Sequence, residues 1–144
     1  MKLILATVFL LLAGNFNSYG QVAVIANKTV PMDELNRTQL IDFYTYDIKK
    51  WSDGRPVIVT DLKPKNETKT VFYEYLGKST SRMKSIWLKM MLSGEGDPPQ
   101  SIASEEEMVQ KVAATPGALG FVNAAKANDS VKTLLVINPE KIEQ

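Results

Sequence analysis

Hydrophobic and polar positions along this chain fall into short blocks of distinct periodicity. Val22-Ala23-Val24-Ile25-Ala26 is apolar throughout and stops at Asn27. A continuous apolar run of this length predicts a strand buried on both faces, as in a sheet covered by helices. Leu40, Phe43 and Tyr44 then recur at i, i+3 and i+4, which places them on one helix face. Asn36 is a cap residue, Gln39 reaches back from three positions on, and Leu35 and Leu40 flank the cap as a hydrophobic staple. The pattern predicts a helix over Arg37–Tyr46.

Trp51-Ser52-Asp53-Gly54-Arg55-Pro56 is a turn, because Asp-Gly favours tight reversal. Val57-Ile58-Val59-Thr60 follows as a second buried strand, and Pro64, Lys65 and Asn66 form a loop. A helix begins near Thr68, buries Phe72, Tyr75 and Leu76, and stops at Gly77. Ser79 caps the next helix. There Met83, Ile86, Trp87, Met90 and Met91 give the strongest helical stripe in the chain. That stripe is either core or a partner groove. Gly94-Glu95-Gly96-Asp97-Pro98-Pro99 interrupts both helix and central strand. Ser104 with Glu107 opens a helix reaching about Ala114, with Met108 and Val112 inside. Thr115-Pro116-Gly117 turns into a third strand, Ala118–Val122, and Val131–Val136 is a fourth. The polar C-terminal tail reads as loosely held. Strands alternating with helices predict a single-domain α/β fold, a mixed sheet flanked by helices.

The first twenty residues do not fit that pattern. Lys2 precedes the apolar run Leu3–Ala13, a polar stretch follows, and small residues stand at Ser18 and Gly20. This is the layout of a secretory signal peptide cut within a residue or two of Gly20, with an uncleaved anchor as the alternative. The run is shorter than the roughly 20 residues of a membrane span. The expected division is therefore a signal peptide over 1–20 and one domain over 21–144.

Composition narrows the chemistry. The 144 residues include neither cysteine nor histidine. Disulfides, thiol nucleophiles, thiolate metal sites, lipid-bearing cysteines, histidine bases and the Ser-His-Asp triad are all excluded. The 17 basic and 16 acidic residues nearly cancel, so no basic face points to nucleic acid. Asp42 and Asp47 have no carboxylate partner at acid/base spacing. The reading is a non-enzyme with no cofactor and no metal. Glu105-Glu106-Glu107 reads as favourable charge in a helix's first turn, with cation binding as the alternative. Asn-x-Ser/Thr triplets at Asn27, Asn36, Asn66 and Asn128 matter only in a eukaryotic secretory pathway.

The segment Asp61-Leu62-Lys63-Pro64-Lys65-Asn66-Glu67-Thr68 is the main candidate for chemistry. In open α/β sheets ligands gather where strand ends meet helix starts. Unpaired amides and the helix dipole there favour an anion. Lys65, Asn66 and Thr68 add donors, as does Lys63; the alternative is that Asn66 or Thr68 only caps the helix. One helix start contributes about 0.3–1 kcal/mol to a surface anion and up to about 2 when partly buried, whereas micromolar binding needs about 8 kcal/mol. A working site needs further convergent donors. Asn27 and Thr29, after the first strand, and Thr115 are the candidates for that second group. Glu67 opposes an anion there.

Three ordered pieces carry a family resemblance. They are Gln39-Leu40-Ile41-Asp42-Phe43 followed by Trp51–Pro56; Phe72-Tyr73-Glu74-Tyr75-Leu76-Gly77-Lys78-Ser79 followed by Trp87 and Ser93–Pro99; and Thr115-Pro116-Gly117-Ala118-Leu119-Gly120-Phe121-Val122. In this order they resemble the phosphate ABC transporter substrate-binding proteins of the type II periplasmic-binding-protein superfamily, in particular its short single-domain bacterial members. The resemblance implies a reduced type II fold and an exported, periplasmic or secreted binding module for phosphate or a similar small oxyanion. It implies a link to ABC-type transport, with a membrane permease or an envelope protein as partner. In full-length members a Ser-Gly-Thr loop at a helix start grips phosphate, and two lobes close on the ligand. The matching place here is Asn66-Glu67-Thr68, with Glu67 where the glycine stands, and Asn27-Lys28-Thr29 falls where the first ligand loop begins. The second wall would come from a second chain or a partner. The alternative function is an envelope interaction protein whose pocket has decayed.

Overall fold

The computed structural model describes residues 20–142. The segment read as a signal peptide lies outside the described residues, except for Gly20. In chain order the elements are β1 (Val22–Ala26), α1 (Arg37–Tyr44), β2 (Ile58–Leu62), α2 (Glu67–Leu76), α3 (Thr80–Leu92), β3 (Gln100–Ile102), α4 (Glu105–Ala114), β4 (Ala118–Asn123) and β5 (Lys132–Ile137). Short 3-10 turns follow at Ala124–Lys126 and Pro139–Lys141. The strands form one sheet in the order β3-β2-β4-β1-β5. β2 runs parallel to β3 and β4, and β1 runs antiparallel to β4 and β5. This is the mixed α/β sheet the sequence predicts. Among the described residues, no helix is long and apolar enough to cross a membrane.

The helix starts follow from their caps. Asn36 Oδ1 accepts from the Gln39 amide and Gln39 Oε1 accepts from the Asn36 amide, both at 2.9 Å, so the expected capping box of α1 is complete. α1 ends at Tyr44 rather than Tyr46, because Tyr46 itself turns left-handed at φ 64°. Asn66, Ser79 and Ser104 cap α2, α3 and α4. Gly77 closes α2 at φ 68°, donating to the Tyr73 and Glu74 carbonyls.

Two strands also depart from expectation. β2 extends past Thr60 to Leu62, carrying the buried charge of Asp61 inside a strand. β3 was not legible: Gln100 and Ser101 are exposed, and only Ile102 is buried. Its three residues pair with Thr60–Leu62 and need no apolar run. As far as Ile142, the C-terminal segment is also more ordered than expected. Asn138 caps the 3-10 turn over Pro139–Lys141, and Ile142 packs partly against the core.

The core lies on both faces of the sheet. On one face Phe72 stacks on Phe121 with centroids 3.8 Å apart and planes 4° from parallel. Tyr44 packs edge-on against Phe72 at 4.9 Å, and its hydroxyl donates to the Thr60 carbonyl at 2.8 Å. Trp87 Nε1 donates to the Tyr44 carbonyl at 2.8 Å and ties α3 to α1. On the other face α4 sits close because β4 carries Gly120. A Cβ there would fall 2.7 Å from both Met108 Sδ and Thr60 Oγ1. Met83 and Trp87 are buried, Ile86 and Met90 are partly so, and Met91 is exposed. The α3 stripe is therefore core along most of its length.

Strand direction decides what can meet at each end of the sheet. The carboxyl ends of β2, β3 and β4 share one end, and α2 and α4 start there. β1 runs the other way, so Ala26 pairs with Leu119 and Asn27 donates to the Ala118 carbonyl at 3.0 Å. Asn27 therefore lies at the amino ends of β4 and β2.

Candidate functional site

At the carboxyl end of β2 the chain passes through Lys63, whose amide donates to the Ile102 carbonyl at 3.0 Å. Pro64 and Lys65 follow, with Lys65 in the left-handed region at φ 66°. That single reversal aims the chain into α2. Asn66 Oδ1 accepts the Lys69 amide at 3.0 Å. An α-helix leaves its first amides without intrahelical partners. Asn66 occupies one of these, and the amides of Glu67 and Thr68 remain for solvent or a ligand. Lys65 and Glu67 are exposed and Asn66 is partly exposed, whereas Thr68 is only 7% exposed. Thr68 seats the first turn as much as it faces outward.

The other three candidates are elsewhere. Asn27, Thr29 and Thr115 lie at the opposite end of the sheet, about 13 Å away along β2. Asn27 Nδ2 donates to the Val112 and Ala113 carbonyls at 2.8 and 3.0 Å. Its Oδ1 accepts from the Thr29 amide at 2.9 Å and from Thr29 Oγ1 at 2.7 Å. Thr115 is the C-cap of α4. These residues close the carbonyl end of a helix, where the dipole repels an anion. One concavity shared by all six candidates is not formed, because β1 runs antiparallel to β4 and carries Asn27 away from Asn66.

A second helix start lies at the same end of the sheet, on its other face. Ser104 Oγ accepts the Glu107 amide at 3.1 Å, and Glu105 Oε1 accepts the Asn123 amide at 2.6 Å. A carboxylate of the chain itself thus stands at the start of α4. Glu106 pairs with Lys126. The acidic run serves the helix start and local pairing, and among the described residues no three acidic groups are placed to hold a metal.

Sequence reasoning missed the cluster beneath the loop. Asp61 is 6% and Lys69 7% exposed. Asp61 Oδ2 accepts from Lys69 Nζ at 3.1 Å and from the Tyr73 hydroxyl at 2.9 Å, while Oδ1 accepts the Leu62 amide at 2.9 Å. Lys69 Nζ also donates to the Leu62 carbonyl at 2.8 Å. This network joins the end of β2 to the first two turns of α2 and so fixes the span between them. Burial, reinforced by the Asp61 charge, pushes the Tyr73 phenol far above its ordinary range. The same causes, in the same order, raise that of Tyr44. Both stay protonated, so neither is a base at neutral pH. The signal was present: Asp61 breaks an apolar strand and Lys69 breaks the buried stripe of α2, one charge of each sign.

The comparisons with known proteins bear on this architecture. A model described as a PBP superfamily domain matches residues 18–139. The chain belongs to the PBP superfamily. Among curated proteins, none matches it. Among solved structures it is similar to an ABC-type phosphate transport receptor from Vibrio cholerae, with 20% identity and a TM-score of 0.66 over 81% of this chain and 46% of that one. It is also similar to a Clostridium perfringens protein described as a phosphate ABC transporter substrate-binding protein and solved with bound phosphate. That match has 21% identity and a TM-score of 0.68, over 81% of this chain and 45% of the other. PstS from Borrelia burgdorferi matches at 11% identity and a TM-score of 0.60, over 82% and 48%. These likenesses establish the fold. The chain spans less than half the length of each of the three.

Proposed function

We propose that this PBP-superfamily chain is a non-catalytic, exported binding module for phosphate or a similar small oxyanion, working as a component of ABC-type phosphate transport. The observation that carries the reading is the start of α2. The Glu67 and Thr68 amides and the positive end of the helix dipole stand just past the end of β2, and the exposed Lys65 adds a positive charge two residues before the helix, an arrangement that favours an anion. Lys65, Asn66 and Thr68 form the contact loop. The solved proteins of similar fold are described as phosphate receptors, which makes phosphate the first ligand to test.

One helix start supplies about 2 kcal/mol at most. A second copy of the chain, or a membrane permease or envelope partner, therefore supplies the opposing wall in this reading. The segment over residues 1–20 directs export to the periplasm.

Calorimetry with phosphate and sulfate tests the proposal. Ligand at about 100 times its dissociation constant should stabilise the fold by about 2.7 kcal/mol. Glu67→Gly removes the carboxylate beside the free amides and should tighten phosphate binding about tenfold; weaker binding would sink this account of the loop. A second reading, an envelope interaction protein with a decayed pocket, has its own support. Glu105 already stands at the start of α4 and holds the Asn123 amide. The absence of stabilisation by any oxyanion at millimolar concentration, together with recovery of a membrane partner, would favour it.

A further inference from the structure

A groove of about 590 Å³ runs from the β2–α2 loop along the outer side of α2 to the start of α3. Four lysines line it, Lys65, Lys69, Lys78 and Lys84, against the single carboxylate of Glu74. Lys69 is neutralised by Asp61. The other three form no ion pair among the described residues, and neither does Glu74. The chain as a whole carries a formal charge of only +1, so this gathering of unneutralised cations does not follow from a generally basic surface. Like charges held around one concavity repel each other and lower the cost of bringing in an anion.

We propose that this groove binds a linear polyphosphate chain. Length argues against a single small oxyanion as its occupant. Lys65 precedes the ten residues of α2 and Lys78 follows them, so the two lie about 15 Å apart along the helix axis. An anion held at one end leaves the other lysines unmatched. Donor chemistry argues against an acidic peptide. The groove offers ammonium groups and the hydroxyls of Ser79 and Thr80, and Glu74 is its one charged acceptor. The nearby Tyr75 and Leu76 carbonyls are already taken by Arg37, at 2.7 and 3.2 Å. A peptide brings an amide donor with nearly every residue and needs acceptors for them. A phosphoryl chain presents acceptors only, with charge along its length. The groove shares Lys65 and Asn66 with the loop site but does not depend on orthophosphate binding there.

Calorimetry of the purified protein at fixed ionic strength separates the two sites. Medium-chain linear polyphosphate should bind at least about tenfold more tightly than orthophosphate. Lys78→Glu with Lys84→Glu should lower polyphosphate affinity about tenfold or more and leave orthophosphate affinity within about twofold. Lys50→Glu, beside Pro56 at the opposite end of the sheet, should change neither. Should the double charge reversal fail to fold by circular dichroism, Lys78→Gln with Lys84→Gln should give a smaller loss in the same direction, and unchanged affinity there overturns the proposal. It is also overturned if polyphosphate binds no more tightly than orthophosphate, if Lys50→Glu costs as much as the double variant, or if poly-glutamate of matched length binds equally well. Failure of the wild-type protein to bind orthophosphate refutes the loop site alone, because the polyphosphate measurement is read independently.

Discussion

The residues that most constrain the loop are a pair of opposite charges placed where apolar side chains are the rule. Asp61 and Lys69 are each under 10% exposed and meet at 3.1 Å, with Tyr73 and the Leu62 backbone completing their hydrogen bonds. Removing one member of a buried pair strands the other charge and costs about 3–5 kcal/mol, whereas replacing both by apolar groups of similar volume is often neutral. Asp61→Leu and Lys69→Met should each lower stability by an amount in that range, and the double variant should recover most of it. Urea denaturation with a double-mutant cycle checks this. Additive losses would mean that the two charges do not rely on each other. The pair was only half legible in the sequence. Each residue violates its own element's pattern, but nothing local says that the two violations meet, because strand register and helix phase together set that distance.

At the scale of elements, helix starts were the most legible feature, because a cap is a local reaction between a side chain and amides two or three residues on. The box at Asn36 and Gln39 and the caps at Ser79 and Ser104 stand where the sequence places them. At α2 the sequence leaves Asn66 and Thr68 as alternative caps, and the structure chooses Asn66. Thr68 then falls inside the first turn and is buried. Strand ends were less legible, because they depend on neighbours distant in sequence: β3 exists only by pairing with Thr60–Leu62. The cap makes a sharp prediction. Asn66→Ala should cost about 1 kcal/mol of stability, and Asn66→Asp should hold the helix start equally well. If the loop binds an oxyanion, Asn66→Asp should weaken that binding, because it adds a second carboxylate beside Glu67. Thermal melts and phosphate titration of the two variants separate the cap from the contact. Equal phosphate affinity in wild type and Asn66→Asp would remove Asn66 from the site.

For the whole molecule, topology decided which candidates share a surface, and topology was the part a linear reading lacked. Asn27 follows one strand and Asn66 follows another, and in an all-parallel sheet both loops would fall at one end. The antiparallel β1 separates them. A second global property follows from composition and burial together. With no histidine in the chain, no side chain of ordinary pKa titrates between about pH 6 and pH 9, and stability should be nearly flat there. Above that range the tyrosines act. Burial raises the Tyr44 and Tyr73 phenols far above 10.0, and burial with the Asp97 charge pushes Tyr46 up to about 12. A phenol raised in the folded state gives stability that is complete below the unfolded value. It is lost as pH rises past that value towards the folded one, because the unfolded chain releases protons that the folded chain keeps. The urea midpoint should therefore hold level to about pH 9 and fall steeply from about pH 10. Tyr44→Phe should flatten that fall while lowering stability at neutral pH by about 1 kcal/mol through the lost bond to the Thr60 carbonyl. An alkaline fall of the same slope in Tyr44→Phe would assign the titration to other groups. A fall beginning well below pH 9 would mean that the buried phenols are not what limits the alkaline stability of this fold.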